Sequence, residues 1–235
     1  MKKLLLISIG AIILMSCDVI KSIPQRDGTG PGPTEAEAGQ GIKEALSKGL
    51  VGAVLRLNKA DGFFKDAMYK ILLPSDAKKV EKTLRDLGLN NMVDKAILQI
   101  NRGAEDAVGY AKPIFLDALK SMTISDAIGL LKNGDTSATH FFREKTSAKL
   151  LEAFLPVIKA SLDKVEATKY YSDIISKYNS FPTTFKKINT DLPGFVTAKT
   201  TDALFDLVAL EEKNIRNNFA ARSTDLLKKV FGQKW

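Results

Sequence analysis

Two short constellations hold the side chains best suited to chemistry: Asn101, Arg102 and Glu105, and then Glu211, Glu212 and Arg216. On a helix, Asn101 and Glu105 share a face at spacing four, Arg102 reaches Glu105 at spacing three, and Glu212 reaches Arg216 at spacing four. Converging in an open cleft, with at least one carboxylate pKa strongly raised, these groups would make an acid–base centre. Sealed inside the body, the same groups would make an ion network that fixes helix register. Residue types alone leave both readings open. His140, the only histidine, stands beside Thr139 with Glu144 four residues on. It is either a lone base or an ordinary helix-surface residue. One histidine cannot supply the two Glu-x-x-His motifs of a ferritin-like di-metal site. With a single cysteine it also excludes the usual zinc sites and a Cys-His nucleophile, so no metal and no cofactor is expected. The glycines of Gly28-Thr29-Gly30-Pro31-Gly32 alternate with a proline and precede no strand, so they are linker and not a phosphate cradle. Phe141, Phe142, Phe154, Tyr170, Tyr171 and Tyr178 either fill a core or line a cavity for an apolar ligand.

Any such site must be carried by the body that follows a distinctive start. Lys2 and Lys3 precede an apolar run from Leu4 to Leu14, and Leu14-Met15-Ser16 leads to Cys17, the only cysteine. A positive start, a short apolar run and a small residue before the cut are the marks of a secretory signal. The run, about eleven residues long, falls short of the roughly twenty that cross a bilayer. Leu-Met-Ser-Cys resembles the bacterial lipobox, which implies that Cys17 is acylated and becomes the new N-terminus. Acylation of Cys17 leaves no thiol for a disulfide, so stability must come from packing. The expected divisions are a signal at 1–16, acylated Cys17 with a flexible linker at 17–33, and a helical domain at 34–235 that allows two packed halves meeting near residue 134. The linker, Gly- and Pro-rich with few aliphatics, has a root-mean-square reach of roughly 20 Å and would keep the domain close to the bilayer.

The formal net charge is +8, with the outer portions of the helical region basic and the middle balanced. That excess suits a body tethered beside anionic lipid, and equally suits plain solubility. Export, and the lack of a basic run interleaved with aromatics, argue against nucleic acid as a partner.

Hydrophobic periodicity predicts an all-α domain of eight to ten helices with no sheet. Thr34 and Glu37 form a capping-box pattern ahead of a helix over 35–58, in which Gly49 and Gly52 would permit a close helix contact. Residues 63–73 read as an irregular segment tucking Phe63, Phe64, Ile71 and Leu72 into the core. Pro74 and Ser75 restart a helix bearing Val80, Leu84 and Leu87, closed by Gly88 in the left-handed conformation. A further helix opens at Asn90 or Asn91, and Pro113 begins or kinks the next. Thr123 with Asp126 repeats the capping box. Asp135 is expected to cap a long helix whose inward residues are Ala138, Phe141, Phe142, Ala148 and Leu151, bent or restarted at Pro156. A tyrosine-rich helix ends near Asn179, a helix runs from Pro193 to about Asn217, and Ser223 or Thr224 caps the last.

Five strings, in order, resemble one bacterial envelope family, domain-of-unknown-function family 4197. They are Ile100-Asn101-Arg102-Gly103-Ala104-Glu105, Ser125-Asp126-Ala127-Ile128, Gly134-Asp135-Thr136-Ser137-Ala138-Thr139, Glu211-Glu212-Lys213-Asn214-Ile215-Arg216 and Leu226-Leu227-Lys228-Lys229-Val230-Phe231-Gly232. The likeness spans roughly residues 41 to 232 and implies an envelope location without an activity. Where members of that family carry a Tyr before Phe, this chain has His140-Phe141-Phe142. The expectation is therefore a lipid-anchored, periplasm-facing envelope protein. It would be a non-catalytic binding or structural module, attached to the membrane through its N-terminal lipid and partnered by an envelope protein or an apolar ligand. A carrier of an apolar small molecule and an acid–base enzyme on Asn101, Arg102, Glu105, Glu212 and Arg216 are the alternatives. Asp18 accompanies inner-membrane retention in enterobacterial lipoproteins, a rule that varies between bacterial groups, so the membrane and the oligomeric state stay open.

Overall fold

The capping boxes foreseen at Thr34 and Thr123 both form, and each starts a helix. Thr34 Oγ1 accepts from the Glu37 N–H at 3.2 Å while Glu37 Oε2 accepts from the Thr34 N–H at 2.8 Å, opening α1 (Glu35–Leu57). Thr123 and Asp126 make the same exchange at the start of α5 (Ile124–Lys132). The computed structural model describes residues 32–235 apart from 181, 183 and 184. Cys17, the expected signal and the expected linker up to residue 31 lie outside the described residues. The remaining elements are a 3-10 turn (Ser75–Ala77), α2 (Lys78–Asp86), α3 (Asn90–Val108), α4 (Ala111–Ser121), α6 (Ser137–Asp163), α7 (Ala167–Ser180), α8 (Leu192–Asn217), a second 3-10 turn (Phe219–Ala221) and α9 (Asp225–Phe231). The domain is all-α, with no strand among the described residues. Gly32–Trp235 form one compact unit.

Helices α1, α3, α6 and α8 pack around one another, with α4 closing the core. Phe115 of α4 sits between Phe142 of α6 and Phe205 of α8, edge-on to both at centroid distances of 6.3 and 5.9 Å. Such edge-to-face pairs add roughly 0.5–1.5 kcal/mol beyond the area they bury. Helix α3 lies close on α6, where a Cβ on Gly103 would be 3.0 Å from Ser161 Cβ and 3.3 Å from Ile158 Cα. Gly49 likewise sits against Glu211, but Gly52 faces open space and makes no contact. Gly88 ends α2 with φ +80, the conformation that favours glycine.

Several local expectations are corrected. Leu72 and Leu87 are exposed, and Tyr69 takes the core position expected of Leu72. In α6 the buried stripe is Phe142, Thr146, Leu150, Phe154 and Ile158, so Ala148 and Leu151 face outward. Spacing four throughout selects this stripe, and Thr146 fits it because its hydroxyl donates to the Phe142 carbonyl at 2.6 Å. Pro156 neither ends nor restarts α6, which continues through it. Asp135 does not cap α6; Thr136 holds the cap position and its side chain makes no capping bond. Pro113 falls in the first turn of α4, where its missing N–H is harmless.

Candidate functional site

The face of α3 that carries Asn101 and Glu105 meets an irregular segment, residues 58–74, that returns from α1. Asn101 is fully buried and treats Ile71 as a strand neighbour would. Its Oδ1 accepts the Ile71 N–H at 2.9 Å, and its Nδ2 donates to the Ile71 carbonyl at 2.8 Å and to the Ile97 carbonyl at 2.7 Å. One turn on, Glu105 Oε1 accepts the consecutive N–H groups of Phe63 and Phe64, both at 3.1 Å, and Oε2 takes the Arg102 guanidinium. Asn58 adds a bond to the Glu105 carbonyl at 2.7 Å. Arg102 extends to Asp61 at 2.8 Å, and Lys65 holds the other Asp61 oxygen at 2.8 Å. Glu105 and Asp61 hold the Arg102 pKa above its ordinary value, and Lys65 and then Arg102 hold the Asp61 carboxyl below its own. Asp61 adopts φ +68, a left-handed turn that an acidic side chain tolerates better than most.

Glu212 on α8 works the same way on a different receiver. Its Oε1 accepts the Ala138 N–H at 3.0 Å, and its Oε2 accepts both the Thr139 N–H and the Thr139 hydroxyl at 2.8 Å. These are the second and third N–H groups of α6, the two that a capping residue would ordinarily take. Glu212 thus caps α6 from another helix, which is why Thr136 and Asp135 are not needed. Arg216 binds Glu212 Oε1 at 3.0 and 2.8 Å and reaches the Leu130 carbonyl at 2.8 Å and Ser137 Oγ at 3.0 Å, tying in the end of α5.

The spacings foreseen within each cluster are therefore realised, but the two clusters share no hydrogen bond or ion pair. Glu211 stands outside both, bonded by Asn214 at 3.1 Å. An acid–base centre would need these groups to converge in one open cleft; instead each glutamate is buried and surrounded by its own donors. His140 and Glu144 are exposed on α6. Among the described residues no three His, Cys, Asp or Glu side chains gather where they could hold a metal ion, and no helix is long and apolar enough to cross a membrane.

Of the six aromatics, Phe142 and Phe154 are buried in the core, and Tyr170 and Tyr171 edge a cavity of about 50 Å³ between α2, α3 and α7. That volume holds a water or two, not a lipid-sized ligand. Burial, with the charge of Asp76 adding to it, pushes the Tyr171 hydroxyl up to about 12, and that hydroxyl donates to the Asn189 carbonyl at 3.1 Å.

The larger opening was not foreseen: a groove of about 480 Å³ between residues 68–78 and α8, with Tyr69, Leu72, Phe195 and Lys199 among its walls. Its sequence signal is faint. The stripe Phe195, Lys199, Asp202 and Asp206 has helical spacing, but its polar members look like ordinary solvated surface.

A family model described as a protein of unknown function (DUF4197) matches residues 32–232. No curated protein and no solved structure matches the chain.

Proposed function

We propose, from the premise that this chain belongs to the DUF4197 family, that it is a lipid-anchored, non-catalytic binding module of the bacterial envelope. An acyl chain on Cys17 holds it to a membrane, and the helical body engages its partner from the periplasmic side. The observation that carries the reading is the order Leu14-Met15-Ser16-Cys17 at the end of a short apolar run behind two lysines. The use of both buried glutamates supports a binding role over catalysis. Their oxygens are engaged by backbone N–H groups and arginines, an arrangement that fastens segments together.

Fractionation of cells expressing the Cys17→Ser chain tests the anchor. The variant is expected in the soluble fraction, while the unaltered protein pellets with membranes and carries an acyl mass on its N-terminal cysteine. Membrane retention of the serine variant, or an unmodified sulfur in the native protein, would overturn the reading.

A further inference from the structure

Residues 66–70 close a turn, with the Lys70 N–H donating to the Asp66 carbonyl at 3.1 Å, and along 68–72 Tyr69 and Ile71 are buried whereas Met68, Lys70 and Leu72 are exposed. Their shape is fixed in advance. Asn101 binds both backbone groups of Ile71, and Asp66 Oδ1 accepts the N–H groups of Met68 at 2.9 Å and Tyr69 at 3.1 Å. Facing them runs the α8 stripe Phe195, Lys199, Asp202 and Asp206, spaced four, three and four. The groove between these walls, about 480 Å³, is within the range of roughly 300–1,000 Å³ typical of small-molecule sites. A wall pinned by hydrogen bonds, those of Asn101 buried, loses little freedom when a ligand arrives.

The lining specifies the occupant. Lys70, Lys78 and Lys199 stand around the groove, and none is in an ion pair with a carboxylate among the described residues; Lys70 and Lys199 lie over the rings of Phe64 and Phe195 instead. Of the two acids in the lining, Asp202 is held by Arg143 at 2.9 Å, which leaves Asp206 as the opposing charge. Tyr69, only 6% exposed, lines the groove, and its hydroxyl is buried with no hydrogen-bond partner among the described residues. A buried hydroxyl without a partner is costly, so a polar ligand atom there would be well received. Met68 and Leu72, exposed and large, together with half-buried Phe195, supply an apolar side to the same opening.

We propose that this groove binds a small anionic amphiphile. Its acid group meets Lys70, Lys78, Lys199 and the Tyr69 hydroxyl, and its apolar part lies along Met68, Leu72 and Phe195. The proposal rests on the binding-module reading and is independent of the lipid on Cys17.

Calorimetric titration of the full chain carrying Cys17→Ser, with decyl phosphate below its micelle concentration, tests it without interference from an acyl group of the protein's own. Saturable binding is expected, with neither inorganic phosphate nor decanol competing at equal concentration. Reversing two charges, Lys78→Glu with Lys199→Glu, should weaken binding at least about tenfold, and Asp206→Asn should tighten it several-fold. Tyr69→Phe should weaken binding several-fold while leaving the unfolding midpoint unchanged or raised, an outcome that a purely structural tyrosine would not give. Competition by phosphatidylcholine vesicles containing phosphatidylglycerol would assign the amphiphile to a bilayer headgroup, and lack of competition to a free ligand; either upholds the site. Absence of saturable binding, binding indifferent to the lysine reversals, or equal competition by phosphate or decanol alone would overturn it. Because no membrane fraction enters the titration, its failure is distinct from failure of the anchor.

Discussion

Glu105 on α3 and Glu212 on α8 each accept two consecutive backbone N–H groups from a distant segment, and each is paired with an arginine on its own helix. They differ in receiver and in shelter. Glu212 receives the start of a 27-residue helix, whose dipole favours a carboxylate there, and Arg216 is only 10% exposed. Glu105 receives a turn of irregular chain, and Arg102 is 33% exposed with Asp61 and Lys65 beside it. One device thus serves two ends: at α6 it locks helices into the core, and at residues 58–74 it shapes a surface segment that forms a groove wall.

If shelter sets the energy, Glu212→Gln should show the largest effect. It leaves Arg216 buried without its counter-charge and should lower unfolding stability in urea by about 3–5 kcal/mol. A loss under about 1 kcal/mol would erase the distinction. Glu105→Gln should lower stability less, by about 2–3 kcal/mol, since water reaches Arg102. Its signature is local: amide exchange should quicken at Phe63 and Phe64 while Ala138 and Thr139 keep their protection. Asn101→Ala removes the pin on Ile71 and should lower stability by about 1–2 kcal/mol, with a larger proportional loss in groove binding than Glu105→Gln.

The smallest effect is one of acidity, and it concerns only the surface device. Burial raises the Asp66 pKa, but Arg56 and the N–H groups of Met68 and Tyr69 outweigh it, so the carboxyl lies below its ordinary value; Asp61 is held low by Lys65 and Arg102. A carboxyl with a depressed folded-state pKa stabilises fully above its unfolded value, near about 4, and that contribution is lost as pH falls through the folded value. Amide spectra taken at decreasing pH below about 4 should therefore show the Met68 and Tyr69 signals moving as Asp66 protonates. Constant signals down to pH 2 would remove Asp66 from the account.

What the sequence disclosed follows from how far each signal reaches along the chain. Thr34, Glu37, Thr123, Asp126 and Gly88 act on neighbours within a turn, and their roles are readable from spacing alone. Arg102–Glu105 and Glu212–Arg216 are equally local. Their receivers are not, because the N–H groups of Phe63, Phe64, Ala138 and Thr139 belong to the backbone and leave no mark in residue type. For the same reason Asp135 looked like a cap while the actual cap came from α8. Leu72 reads as core by hydrophobicity; with Ile71 held inward by Asn101, the next side chain, Leu72, is left exposed on the groove.

The cap that α8 supplies to α6 also bears on the order in which this protein can assemble. A polypeptide that emerges N-terminus first, from a ribosome or a secretion channel, delivers Thr139 73 residues before the carboxylate that completes its turn. Until that later stretch arrives, the first turn of α6 lacks its bonds to the Glu212 carboxylate. Docking of the α6 start onto α8 through this carboxylate therefore waits until residue 212 has been delivered.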